Sequence, residues 1–180
     1  SSVFNASVTA DAKEVSISYS FTPTLTDLAD DKSISEDGEF IIRRDQGGFK
    51  VAEFGDRESD VRIALVGDSH ARQYFVPLSE LAEKYGFGLD MISKSACSVQ
   101  DPNNYQLDGF GGGLYCQEWN SELESYLASN QYDLLINSNS TLVYVGELAP
   151  AQSYASAVAG WVEAGQQVLL IRDNAKPNVS

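Results

Sequence analysis

A chain of 180 residues has the length of one domain and on folding would bury about 70% of the surface its unfolded form exposes, so a self-sufficient core is expected. Its 26 acidic against 12 basic side chains leave a net charge of −14, which argues against a phosphate-backbone partner: no nucleic acid is expected, because such binding rests on Lys and Arg. The sequence has neither an apolar run of roughly 18 residues nor a basic patch followed by an apolar stretch, so it is expected to hold no membrane span and no signal peptide.

Residues 1–60 differ in texture from the rest. Val15 to Phe21 alternates apolar and polar at period two, and Glu39-Phe40-Ile41-Ile42 and Phe49-Lys50-Val51 are short β-like runs broken by Asp37-Gly38 and Gly47-Gly48. These residues read as an N-terminal, β-containing extension packed on the core, with a possible hairpin at Asp45 to Gly48. The acids Asp27, Asp30, Asp31, Glu36, Asp37 and Glu39 read as a solvated loop, since they lack the spaced oxygen ligands and closing glutamate of an EF-hand.

From Val61 onward strand and helix patterns alternate. The expected strands are Val61–Val66, Gly88–Ile92, Asp133–Asn137 and Gln167–Ile171; the expected helices are Arg72–Tyr85, Gln117–Ser129 and Ala151–Ala164. Each helix carries an apolar stripe and stops near Gly86, Asn130 or Gly165. Repeated β-α units with long crossovers predict a parallel sheet with helices on both faces, a three-layer α/β/α flavodoxin-like domain over residues 61–180. Ser98 to Tyr115 is rich in Asn, Asp and Gly and reads as a long loop, either facing a substrate or poorly ordered.

The most informative segment is Val61 to His70, VRIALVGDSH. A buried parallel strand that stops in a tight turn exposes the next side chain at the carboxyl edge of the sheet, where α/β proteins build their sites. Ser69 stands there. Taken alone, Gly67-Asp68-Ser69 is equally an ordinary strand-to-helix turn with Asp68 or Ser69 as N-cap. The surrounding residues say more: Gly67-Asp68-Ser69-His70-Ala71-Arg72-Gln73 after the apolar strand, with Ser95-Ala96-Cys97 about one strand later, resembles the first block of the SGNH (GDSL-like) esterase and acyltransferase superfamily. The histidine directly after the serine narrows the resemblance to the extracytoplasmic SGNH domain fused to membrane-bound family-three acyltransferases.

The resemblance implies a serine nucleophile, Ser69. A serine hydroxyl needs a base, usually a histidine held by a carboxylate. His70 is the only histidine, but neighbouring side chains on a chain entering a helix diverge by about 100°, which places it poorly to take the Ser69 proton. In the resembled family the base comes from a later D-x-x-H block. Residues 1–180 contain none, so the acid and base are not found here and the domain is expected to lack its C-terminal portion or to have diverged. For the oxyanion the resemblance points to the backbone N–H of Ser69, a backbone N–H at Ala96 and the side chain of Asn139, with the family glycines of the second and third blocks replaced by Ser95-Ala96 and Asn137-Ser138. Asn139 is as readily a turn residue after its strand. Arg72 and Tyr74 are candidate substrate contacts, with an exposed helix face as the plainer alternative.

Two cysteines and one histidine cannot assemble a tetrahedral zinc site, so no metal is expected. The isolation of Cys97 and Cys116 and the secreted type of protein resembled imply a disulfide, against the alternative of two buried free thiols. The function so implied is O-acyl transfer: Ser69 carries an acetyl or short acyl group and passes it to a hydroxyl of a cell-envelope glycan or glycolipid. No cofactor is expected. The acyl donor would be supplied by a partner or by a membrane acyltransferase domain of the same parent chain, on the extracytoplasmic side. The alternatives are a carbohydrate esterase or deacetylase of the same fold, with water as acceptor, and a non-catalytic glycan-binding or partner-docking domain.

Overall fold

The computed structural model describes residues 5–7, 18–20, 41–106, 113–140 and 148–173. The chain divides into two compact units, Ser1–Ser35 and Glu36–Ser180. In the first, β1 (Asn5–Ser7) pairs antiparallel with β2 (Ser18–Ser20), the centre of the alternating run expected to be a strand.

The second unit is built on five strands in the order β3-β5-β4-β6-β7, with β3 spanning Ala52–Gly55, β4 Arg62–Gly67, β5 Gly88–Ser93, β6 Leu134–Ser138 and β7 Val168–Leu170. β4 to β7 are parallel to their neighbours, as their crossovers require. β3 is the exception: it runs antiparallel to β5, so the sheet is mixed. That strand lies in the segment assigned by sequence to the extension, and it begins directly after the Phe49–Val51 run expected to be β-like, which is itself outside any strand. No hairpin forms at Asp45 to Gly48. Arg43 and Gln46 instead close a turn, and Ile42 bridges to Lys94 in parallel. Lys94 is buried, its Nζ donates to the Gln46 carbonyl, and burial pushes the amine below its usual value.

Three helices complete the layers: α1 (Phe75–Tyr85), α2 (Gly113–Ser129) and α3 (Leu148–Glu163). Side chains alternate across a strand, so Ala64, Val66, Ile92 and Leu135 face one side and Leu65, Leu89 and Met91 the other. The first set packs with Trp119, Leu123 and Leu127 of α2 and Trp161 of α3. On the opposite face α1 lies over β3 and β5, with Phe75 edge-on to Phe54 at 4.5 Å between ring centres. A 3₁₀ turn, Ala71–Tyr74, precedes α1, and Pro77 falls in the first helical turn, where its missing N–H costs no hydrogen bond. The helix ends as its sequence predicts, on Gly86 in the left-handed conformation with its N–H on the Ala82 carbonyl. Helix α2 starts four residues before the expected Gln117, so the end of the presumed loop is helical; another part of that loop, Pro102–Asn104, is a 3₁₀ turn capped by Asp101, and 107–112 lie outside the described residues.

At the amino end of the strands a buried acid holds the sheet. Asp90 on β5 accepts from Arg57 (2.6 Å), Arg62 at the start of β4 (2.5 Å) and the Tyr132 hydroxyl just before β6 (2.6 Å). Three segments are thus tied at one carboxylate. At the other end of the sheet, β7 is the edge strand, and both Leu169 and Leu170 are about half exposed.

Cys97 and Cys116 form a disulfide with their Cα atoms 5.3 Å apart, joining the segment after β5 to the first turn of α2. The free-thiol alternative falls away. Closing a loop of 19 residues should stabilise the unit by about 3 kcal/mol. The denatured, unreduced protein should therefore show no titratable thiol, and a Cys97→Ser, Cys116→Ser double variant should unfold at lower denaturant by about that free energy; two free thiols in the native preparation would contradict the pairing.

Candidate active site

The register aligns the carboxyl ends of three strands. Gly67 of β4 stands opposite Ser93 of β5 and Ser138 of β6, so the residues that follow, Asp68-Ser69-His70, Ser95-Ala96 and Asn139-Ser140, leave the sheet side by side. Gly67 has φ +147°, and a Cβ there would stand 2.0 Å from the Ser138 carbonyl oxygen and 3.0 Å from the Ala71 Cβ. Only glycine fits between the neighbouring strand and the 3₁₀ turn.

Past that glycine the chain is pinned on both sides of Ser69. Asp68 is buried; one carboxylate oxygen accepts the His70 N–H at 2.8 Å, and the other accepts the Ser140 N–H at 2.9 Å, beyond β6. Its carboxyl lies above the ordinary carboxylate value, chiefly because it is buried, with the Ser140 and His70 amides pulling it back. The His70 ring reaches further across the sheet, where Nδ1 meets Asp173 Oδ1 at 2.6 Å beyond the end of β7. Ser69 itself is partly exposed, and its side chain makes no hydrogen bond to any described residue.

The second and third blocks meet the same edge. Ala96 has φ +53°, the left-handed backbone that favours glycine, and its N–H donates to no described residue. The turn that holds it is braced from several directions: Ser95 N–H bonds the Ile42 carbonyl, Cys97 N–H bonds the Lys94 carbonyl, Arg72 Nη1 reaches Ser95 Oγ at 3.0 Å, and Cys97 is in the disulfide. Asn139 is buried, accepting from Val99 N–H at 3.3 Å and donating to Asn137 Oδ1 at 3.0 Å. Asn137 in turn donates to the Val66 carbonyl and accepts from the Tyr154 hydroxyl, whose own proton burial makes harder to remove.

The family model described as the SGNH domain (fused to AT3 domains) matches residues 35–179. The chain belongs to that family. A solved structure, that of the Salmonella ser. Paratyphi A lipopolysaccharide acetyltransferase periplasmic domain, superposes with a TM-score of 0.52 at 15% identity, over 64% of this chain and 46% of that one. At such identity the likeness carries the fold, and this SGNH domain spans less than half the length of that neighbour's chain. A comparison with curated proteins finds no match.

Within the SGNH domain the structure brings Ser69, Ala96 and Asn139 to one sheet edge. It does not put Arg72 on an exposed helix face: that side chain is 5% exposed and bonded to Ser95, so it braces the Ala96 turn rather than presenting its charge outward. Tyr74 is partly exposed at the end of the 3₁₀ turn. Sequence reasoning passed over Asp173. A carboxylate two residues past an expected strand end, on the edge that carries Ser69, was the available signal.

The raised carboxyl of Asp68 has a pH signature. A group whose folded-state value lies above its unfolded one, near 3.8, contributes stability fully present below 3.8 and lost as pH rises through the raised value. Relative to an Asp68→Asn variant, the wild-type chain should lose stability as pH climbs from the acid range toward neutrality. Denaturant unfolding of both proteins across that range measures the difference, and a gap independent of pH would refute the assignment.

Proposed function

We propose that this SGNH domain is the extracytoplasmic acyl-handling part of an O-acyltransferase, with Ser69 as the residue that carries an acetyl or short acyl group to a hydroxyl of a cell-envelope glycan or glycolipid. One observation carries the reading. Between two neighbours whose side chains are each committed to a different strand end, Ser69 stands at the carboxyl edge of the sheet with a hydroxyl and an N–H that, like the Ala96 N–H, bond to no described residue.

In the proposed reaction Ser69 Oγ attacks the acyl carbonyl carbon and gives up its proton to a base, while the donor's leaving group departs. The N–H groups of Ser69 and Ala96, with Asn139 beside them, would face the oxygen as it becomes negative, where preorganised donors stabilise charge without reorganising. Asn139 already donates once to Asn137, which leaves one amide hydrogen for this purpose. An acceptor hydroxyl then attacks the serine ester, its proton is taken up, and Ser69 is released as the free alcohol. The membrane acyltransferase domain implied by the family would supply the acyl donor, and no cofactor enters. With water as acceptor the same steps give an esterase; pocket shape and acceptor binding separate the two.

The alternative reading is a non-catalytic domain that binds glycan or docks a partner. The two readings part in a simple assay. Incubated with an activated acetyl ester, the chain should gain one acetyl group on the peptide containing Ser69 and turn the ester over slowly. Loss of the base and acid of a serine triad still leaves roughly 10³ to 10⁴-fold acceleration over water. Ser69→Ala should remove both signals, and Asn139→Ala should lower the acylation rate by about a hundredfold. Acetylation indifferent to Ser69→Ala would favour the binding domain.

A further inference from the structure

The contact between His70 and Asp173 joins residues 103 positions apart and links the ends of β4 and β7, two strands that do not touch each other. Asp173 is 7% exposed at its side chain and His70 30%, so the carboxylate is sheltered while one side of the ring meets solvent. A ring nitrogen within 2.6 Å of a carboxylate carries the proton there, which fixes the ring's orientation and leaves Nε2 as the outward nitrogen. Nε2 has no partner among the described residues. The Ser69 hydroxyl is not bonded to this ring, so the pair does not activate the serine by direct contact.

Its effect runs through the backbone instead. Asp68 fixes the near side of the turn to Ser140, and His70 is the residue through which the far side can be fixed. With both neighbours tied, the Ser69 backbone is held at the sheet edge that also carries Ala96 and Asn139. If Asp173 is cut, the His70 ring loses its tie to the β7 end and the far side keeps only the local bond from His70 N–H to Asp68: the His70 ring makes no other hydrogen bond to a described residue, and the N-terminus of the 3₁₀ turn has no side-chain cap.

We propose that Asp173 is a positioning residue of the Ser69 site, acting through His70, and that the two work as one unit. This rests on the reading of Ser69 as the nucleophile. The electrostatics agree with the geometry, since the Asp68 carboxyl responds to both His70 and Asp173 and the three groups form one cluster around the turn that holds Ser69.

The whole 180-residue chain tests the proposal, aided by His70 being its single histidine, so that every imidazole signal in a nitrogen-15 and proton NMR spectrum belongs to this residue. The wild type should show a strongly downfield Nδ1–H resonance that disappears in Asp173→Asn. In parallel, the rate at which a fluorophosphonate labels Ser69 is followed by intact mass, with Ser69→Ala as the blank. Asp173→Asn and His70→Ala should each slow labelling by about ten- to a hundredfold, as a misplacement on the order of 1 Å would do. The double variant should be no slower than the worse single one, and Asp173→Glu, which restores the carboxylate, should recover much of the rate. Labelling unchanged in Asp173→Asn, losses that multiply in the double variant, or no recovery with glutamate would each overturn the positioning role while leaving the nucleophile in place. Absence of Ser69-dependent labelling in the wild type would overturn the nucleophile reading, and the inference with it.

Discussion

The site depends first on the lack of a side chain at Gly67. A β4 strand buried in the middle of the sheet must turn out of it while β6 lies alongside and the 3₁₀ turn begins four residues later, and the space left is smaller than one methyl group. That close approach places the Ser140 amide within reach of the Asp68 carboxylate and starts the 3₁₀ turn over the strand end. A side chain at Gly67 would push β4 away from the Ser138 carbonyl or lift Ala71 from its packing, and either shift would reorient the residues after it.

Around that point the structure divides its labour between the two ends of the strands. At the amino end Asp90 gathers Arg57, Arg62 and Tyr132, all committed to one another and far along the strands from Ser69. At the carboxyl end Asp68, His70, Asp173, Asn137 and Asn139 are paired, while Ser93 Oγ and Ser138 Oγ, the Ser69 hydroxyl and the Ser69 and Ala96 amides have no hydrogen-bond partner among the described residues. A network that holds its neighbours in place and leaves donors unengaged is the arrangement that preorganised stabilisation of a negative charge calls for. Membership of the SGNH family fits that arrangement.

Much of the core was legible in the sequence, because apolar periodicity and helix-stop residues report local physics. The four parallel strands and three helices fall within a few residues of their expected ranges. The antiparallel strand β3 was not legible: Ala52-Glu53-Phe54-Gly55 is too short to show a clear period, and its assignment depends on β5 offering a free edge. The site divides in the same way. Ser69 was visible because a strand, a glycine and a small polar turn are contiguous. Ala96 is named by sequence only through a family pattern, and its glycine-favouring conformation is not legible at all, since nothing in Ser95-Ala96-Cys97 announces a positive φ. The exposed-face alternative for Arg72 fails because its burial depends on Ser95, 23 positions later. Asp173 could be placed by sequence only at the edge that carries Ser69, because a pairing with His70 over 103 positions leaves no local trace.

The edge strand β7 has a consequence for handling the protein. Leu169 and Leu170 point to opposite faces of the sheet, yet each is about half exposed, and among the described residues no strand pairs with the outer side of β7. A three-residue strand with bare backbone donors on one side and apolar side chains above and below is a template for adding another strand. The chain's large negative charge opposes such encounters by mutual repulsion, and salt screens that repulsion over a Debye length of about 8 Å at physiological ionic strength. Self-association through β7 would therefore grow with salt, opposite to what an assembly held by ion pairs would do.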